Sequence, residues 1–431
     1  MNQQLINLFN LEKNLSDNNP EGVISCFKDL LSAKKEAKIT LTKNPGIVIY
    51  APSNPKNLDQ KKHILIVIHE LSRTGAPVVA VDTAKTLVKN GFFVTVVTMR
   101  RGPLLKELIE SGIPVITDRR LALTHDSADL LGNPSIEMPI DTILESFDKA
   151  IVITAVYHNL IRRCSNVSTP ILWWLHEGTA TYDSFAPLMP QKLPKNVKVY
   201  TGGKYALEQL KAYGLPYNAK ILNYGVTDTA TEATDVSSEQ SSNPEIVSFI
   251  LPGSIGIRKG QQILLDAIDL LPEQYLSKSK FLFIGDISSE YDIDGKKTKA
   301  RLISASQKYD HIDYLTSVSR EELFKIYQTT DILVLPSLDD PMPVVATETL
   351  MLKKVVLCST TTGTSYYLKD NENGFVFESD NPAALCDKIK YVIDHKNQLK
   401  DIGAKGRKVY ERHFEMGIFE HNLLNTIKEL S

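Results

Sequence analysis

The stretch IVSFILPGSIGIRKGQQILLDAIDLL (residues 246–271) decides the fold. Its largely apolar run, 246–252, interrupted only by Ser248, reads as a strand buried on both faces, the habit of a parallel sheet. The glycine-rich loop GSIGIRKG (253–260) follows, and helical spacing then runs from Gln261 to Leu271. Strand, loop and helix in that order open a βαβ unit. The rhythm continues downstream, with strands at 280–286, 311–315, 331–336, 355–359 and 374–377. Helices fall between them near Arg301, over Glu321–Gln328 and over Val345–Leu352.

The same rhythm fills the first half of the chain. Strands are predicted at 64–68, 92–98, 114–116, 150–155, 170–175 and 197–201, with helices over Ala80–Lys89 and Leu104–Glu110. Residues 227–245 are rich in Ser, Thr and acidic side chains and lack large apolar ones, which suits an exposed connection. The expected architecture is α/β: two doubly wound Rossmann-like domains facing a cleft, with an extra helical N-terminal segment. The expected boundaries are 1–45 for the helical extension and 46–226 for the first domain. The connection spans 227–245, the second domain 246–410, and a C-terminal helix at 411–431 packs back on the first domain. In residues 1–45 one amphipathic helix carries Leu5, Ile6, Leu8, Phe9 and Leu11. A second carries Val23, Ile24, Phe27, Leu30 and Leu31.

Composition removes several classes of function. The chain has 431 residues, and its net charge of −2 argues against binding nucleic acid through bulk charge. No apolar run approaches the eighteen or so residues that span a bilayer. The polar start Met1–Gln4 lacks the basic region of a signal peptide, so a cytoplasmic location is expected, with peripheral contact at the inner face of the membrane left open. Cys26, Cys164, Cys358 and Cys386 show no metal-ligand or disulfide spacing.

Ligands of open α/β sheets sit beyond the carboxyl ends of the strands, so the loops leaving the strands carry the chemistry. In GSIGIRKG the glycines, Gly253 among them, let the backbone approach a ligand, with Ser254 beside Gly253 as a donor-binding candidate, and Arg258 and Lys259 attract a diphosphate at a helix start. PSLDDPMPVVATETLM (336–351) also leaves a strand and enters a helix. Glu348, a turn or so into that helix, suits a ribose diol, while Pro341–Val344 at its start would offer N–H groups to a sugar or phosphate. Asp340 stands eight residues before Glu348. Solvated surface loops are the plainer reading of either segment alone; their order and separation favour a paired site.

These two loops resemble those of the retaining GT-B-fold glycosyltransferases of family 4, and the likeness runs from about residue 62 to 425. The resemblance implies that Lys259 and Arg258 bind the donor diphosphate, that Glu348 binds ribose, and that Asp340 lies near the donor sugar. Met342, Pro343 and Val344 fall at the donor-binding helix start. HELSRTGAPVVAV (69–81) resembles the family's first glycine-rich loop, which brings Gly75 and Ala76 to the phosphates. WWLHEG (173–178) brings His176 to the transferred sugar, with Glu177 as an acceptor contact or a helix cap. Three departures stand out: Ser254 where an arginine is usual, Asp340 for glutamate, and Pro343 for glycine, which removes a backbone donor.

The implied function is transfer of a sugar, with retention, from a nucleotide-diphosphate sugar to an acceptor hydroxyl, UDP being the favoured nucleotide. Bacterial surface polysaccharide or glycoconjugate synthesis is the implied setting, with a saccharide, lipid-linked saccharide or protein acceptor. No cofactor beyond the nucleotide sugar, no metal and no nucleic acid are expected; Asp339-Asp340 and Asp292-Ile293-Asp294 only superficially resemble a metal-binding Asp-x-Asp. A homo-oligomer or partner subunit contacted through the N-terminal helices is left open. Two alternatives stand beside this reading: a non-catalytic GT-B partner that stabilises an active transferase, and a nucleotide-sugar epimerase, disfavoured by the lack of an acid–base carboxylate pair.

Overall fold

The computed structural model describes residues 3–32, 36–41, 46–122, 138–230, 245–287, 289 and 291–430, without the side chains of 3–6 and 9. Most of the expected connection, 231–244, lies outside the described residues. The chain forms two compact units. One comprises Met1–Gly202, Ala206–Leu222 and Glu420–Ser431; the other comprises Gly203–Tyr205 and Asn223–Phe419.

The first unit holds a sheet of β1 (Ala37–Thr40), β2 (Ile47–Ala51), β3 (His63–Ile68), β4 (Phe93–Thr98), β5 (Val115–Asp118), β6 (Lys149–Ile153), β7 (Ile171–Leu175), β8 (Val197–Thr201) and β9 (Lys220–Ile221). Their spatial order is β1-β2-β5-β4-β3-β6-β7-β8-β9. From β5 to β9 all pairings are parallel, and β4, β5 and β7 are buried at every residue, which explains the unbroken apolar run of β7 and the largely apolar β4.

One result departs from the sequence reading. β1 lies within the stretch read as helical and pairs antiparallel with β2, which pairs antiparallel with β5. A four-residue edge strand holding one large apolar residue, Ile39, is too short to carry a period.

The N-terminal helices, Gln3–Ser16 and Pro20–Leu31, dock on their own unit. Asn19 caps the second helix by accepting the Gly22 N–H at 3.3 Å. Leu11, Leu15, Val23, Phe27, Leu30 and Leu31 are buried in one core with Ile47 and Ile49 of β2, Ile116 of β5, and Ile143 and Phe147.

The second unit holds β10 (Val247–Pro252), β11 (Ser279–Ile284), β12 (Ile312–Leu315), β13 (Ile332–Leu335), β14 (Val355–Ser359) and β15 (Phe375–Phe377). All pairings are parallel, in the order β12-β11-β10-β13-β14-β15. Strand order reverses between β10 and β13 here, and between β3 and β6 in the first unit. These switch points are where open sheets bind ligands. Both loops singled out above, 253–260 and 336–343, leave the second sheet at its switch point.

Candidate functional site

The two switch-point loops of the second unit are laced together. Leu338 donates its N–H to the Arg258 carbonyl at 2.9 Å, and Arg258 Nη1 donates to the Asp339 carbonyl at 2.7 Å. Gly260, with φ of +73°, makes this approach feasible: a Cβ there would stand 2.0 Å from the Pro336 carbonyl oxygen. Arg258 and Lys259 sit in a 3₁₀ turn, Ile257–Lys259, and Gly260 separates them from the helix Gln261–Asp269. The sequence reading had them opening that helix; the left-handed glycine between is the reason they do not.

Lys259 Nζ stands 2.5 Å from Asp340 Oδ2, and Arg258 Nη1 stands 3.9 Å from Asp340 Oδ1. The carboxylate is 8% exposed and the two cations 21% and 46%. Gly253 donates its N–H to Ile284 at the end of β11, and Ser254 accepts from the buried side chain of Gln261 at 3.0 Å. Arg258, Lys259 and Asp340 are therefore brought together, with Gly253 and Ser254 on the same loop.

Pro343 precedes the helix Val344–Met351 and accepts the Ala346 N–H. Its missing N–H falls at a helix start, where no intrahelical bond is lost. The Met342 carbonyl accepts from Tyr224 Oη at 3.5 Å, and the same hydroxyl stands 3.0 Å from Thr347 Oγ1. Glu348 is buried, and Arg320 Nη2 donates to its Oε1 at 2.8 Å. Sequence reasoning missed Arg320. Ser319 and Glu322 form a capping box that places Arg320 at the first position of the helix Arg320–Thr329. That signal was legible, but its target 28 residues away was not.

In the first unit, His176 and Glu177 leave β7 beside the switch point. Glu177 accepts the Ala155 N–H at 2.6 Å with one oxygen and the His176 N–H at 2.7 Å with the other. Burial pushes its carboxyl up to about 7 against the pull of those donors. Burial also lowers the His176 imidazole to about 3, so the ring is neutral at physiological pH. His176 Nε2 is enclosed without a hydrogen-bond partner among the described residues, and the ring lies 4.5 Å from that of Trp174. Glu177 thus ties the loop after β7 to the loop after β6 rather than capping the helix Thr179–Phe185. Gly75 and Ala76 begin the helix Gly75–Lys89, whose preceding Thr74 makes no side-chain cap; among the described residues nothing lies within 4 Å of a Cβ on Gly75. A helix start of this kind can receive an anion.

Asp292 caps the helix Ile293–Lys308 and Asp294 pairs with Lys297, so the Asp-x-Asp segment has structural partners. Among the described residues no group of three or more His, Cys, Asp or Glu could hold a metal ion, and no helix is long and apolar enough to cross a membrane.

Residues 60–198 match the profile described as glycosyl-transferase family 4, and residues 233–409 match that described as glycosyl transferases group 1. The fold is similar to that of HepE from Anabaena, solved with UDP and glucose. The TM-score is 0.67 at 14% identity, over 85% of this chain and 99% of HepE. The chain is a GT-B-fold member of the glycosyltransferase superfamily related to family 4. A glycosyltransferase from Rickettsia africae is similar to this GT-B chain with a TM-score of 0.66 at 18% identity, over 86% and 98% of the two chains. An uncharacterized glycosyltransferase of Methanocaldococcus jannaschii is 28% identical over 155 residues, 36% of this chain and 40% of that one. The chain spans about two fifths of the length of the curated relatives it matches.

Proposed function

We propose that this GT-B chain transfers a sugar from a nucleotide-diphosphate sugar, UDP being the favoured nucleotide, to an acceptor hydroxyl with retention at the sugar C1. The observation that carries the reading is the convergence of Arg258 and Lys259 on the second sheet's switch point, within 3.9 Å of one carboxylate. HepE, solved with UDP and also with UDP-glucose, supports UDP as the nucleotide.

In this reaction the acceptor oxygen bonds to C1 on the face from which the diphosphate departs. The bond from C1 to the phosphate oxygen breaks, and the acceptor proton passes to that departing oxygen. Lys259 and Arg258 stabilise the charge growing on the leaving group; removing one such donor commonly costs about 2.7–4 kcal/mol. Glu348 accepts from the ribose diol. The start of the helix Val344–Met351 and the helix start at Gly75 and Ala76 offer N–H groups to the donor. His176, kept neutral, orients the sugar through hydrogen bonds without adding charge. The acceptor is a saccharide, lipid-linked saccharide or protein, in bacterial surface polysaccharide or glycoconjugate synthesis.

A second reading, a non-catalytic partner of an active transferase, is favoured by one observation: Lys259 is already engaged by Asp340. Calorimetry with UDP-, GDP- and ADP-sugars, followed by measurement of nucleotide release, separates the two. Binding with release supports transfer; no measurable heat with any of the donors supports the partner.

A further inference from the structure

Asp340 is held more tightly than a sugar-reading residue needs to be. Its N–H donates to the Thr361 carbonyl at 3.2 Å, and its carbonyl accepts the Gly363 N–H at 2.7 Å. Gly363 has no alternative there: a Cβ would stand 1.6 Å from the Pro341 carbonyl oxygen. The main chain at 340–341 is therefore clamped, and aspartate has one methylene less than glutamate with which to reach outward. From this fixed point Oδ2 meets Lys259 Nζ at 2.5 Å while Oδ1 lies 3.9 Å from Arg258. The side chain is 8% exposed, so its pairing with the two cations is made largely out of water.

The charge arrangement points the same way. A carboxylate this close to an ammonium fixes its direction and offsets its charge. An ammonium has three donors, so Lys259 can keep Asp340 and still offer two to a diphosphate. The incoming phosphate oxygens then meet both the cation and the like charge of Asp340, which weakens their hold and eases departure of the nucleotide.

We infer that Asp340 is the counter-ion that positions Lys259 and limits how tightly the diphosphate is held, and that it does not read the donor sugar. The inference rests on the reading of Lys259 as a diphosphate-binding cation.

The test uses the full chain and its Asp340→Asn and Asp340→Glu variants, with two measurements on each. One is acylation of Lys259 by an amine-reactive reagent, followed by peptide mass spectrometry. The other is calorimetric titration with UDP and with UDP-glucose. The inference expects Lys259 in Asp340→Asn to react at least threefold faster than in the wild type. UDP should bind that variant at least threefold tighter, with the ratio of UDP to UDP-glucose affinity unchanged within twofold. Asp340→Glu, which keeps the charge, should stay within threefold of the wild type in labelling. Unchanged labelling in Asp340→Asn, or unchanged UDP affinity with a shifted ratio, overturns it. A wild-type chain that binds neither nucleotide contradicts the proposed function instead, and the labelling rates then decide the counter-ion pairing alone.

Discussion

Arg320 Nη2 donates to the buried Glu348 Oε1 at 2.8 Å, joining the first turn of one helix to the middle of another. Glu348 is 4% exposed and Arg320 60%, so the pair couples a carboxylate out of water to a cation largely in it. Arg320→Ala removes a partner from that carboxylate and should destabilise the second unit by about 1 kcal/mol, discounted for the exposed cation. Arg320→Ala/Glu348→Gln should recover part of the loss, because the buried charge goes as well. Urea midpoints of the two variants test this; equal midpoints contradict it.

Glu177 and His176 give the first unit two opposed pH dependences. Folded Glu177 holds its proton up to about pH 7, against an ordinary value of 4.5. The folded state then binds more protons than the unfolded one, so stability falls as pH rises from about 4.5 to 7. His176 drops from 6.5 to about 3, so the unfolded state binds more protons and stability falls as pH drops from about 6.5 towards 3. Glu177→Gln removes only the first slope, on the order of 3 kcal/mol across its window. Denaturant midpoints between pH 4 and 8 should then show only the loss towards acid. A wild-type profile in the variant contradicts the account.

Thr154 has φ of +88° and ψ of 151°, a region that β-branched residues avoid. Its Oγ1 is buried without a partner among the described residues, so the hydroxyl makes no hydrogen bond to them. Its carbonyl accepts from Trp173 Nε1 at 2.9 Å, which holds the backbone in place. Thr154→Gly should raise the stability of the unit by about 1 kcal/mol. A lower melting temperature contradicts this.

Much of this structure was legible from residue order. Apolar runs such as ILVL at 332–335 are buried at every position, so they marked their strands directly. The switch-point loops followed from those strands. Edge strand β1, with alternating exposure and four residues, left no comparable trace. Within the site, the cations and acidic residues could be named, but not their partners. That Asp340 meets Lys259, or Glu177 meets Ala155, depends on contacts 81 and 22 residues apart. Such pairings are set by sheet order rather than by any local pattern.

Gly260 tests whether the lacing of the two loops matters. Gly260→Ala forces a Cβ to within 2.0 Å of the Pro336 carbonyl at a left-handed φ, so one loop must move away from the other. The Arg258–Leu338 and Arg258–Asp339 hydrogen bonds are then lost together. UDP affinity should fall at least tenfold while far-ultraviolet circular dichroism keeps its helical signal. Wild-type affinity in a folded variant contradicts this role.

The central claim is tested most directly by nucleotide release from a UDP-sugar in Lys259→Ala. Loss of a cation that stabilises the departing diphosphate should slow release by about 100-fold or more relative to the wild type. Release within a few-fold of the wild type would remove Lys259 from the reaction and contradict the account.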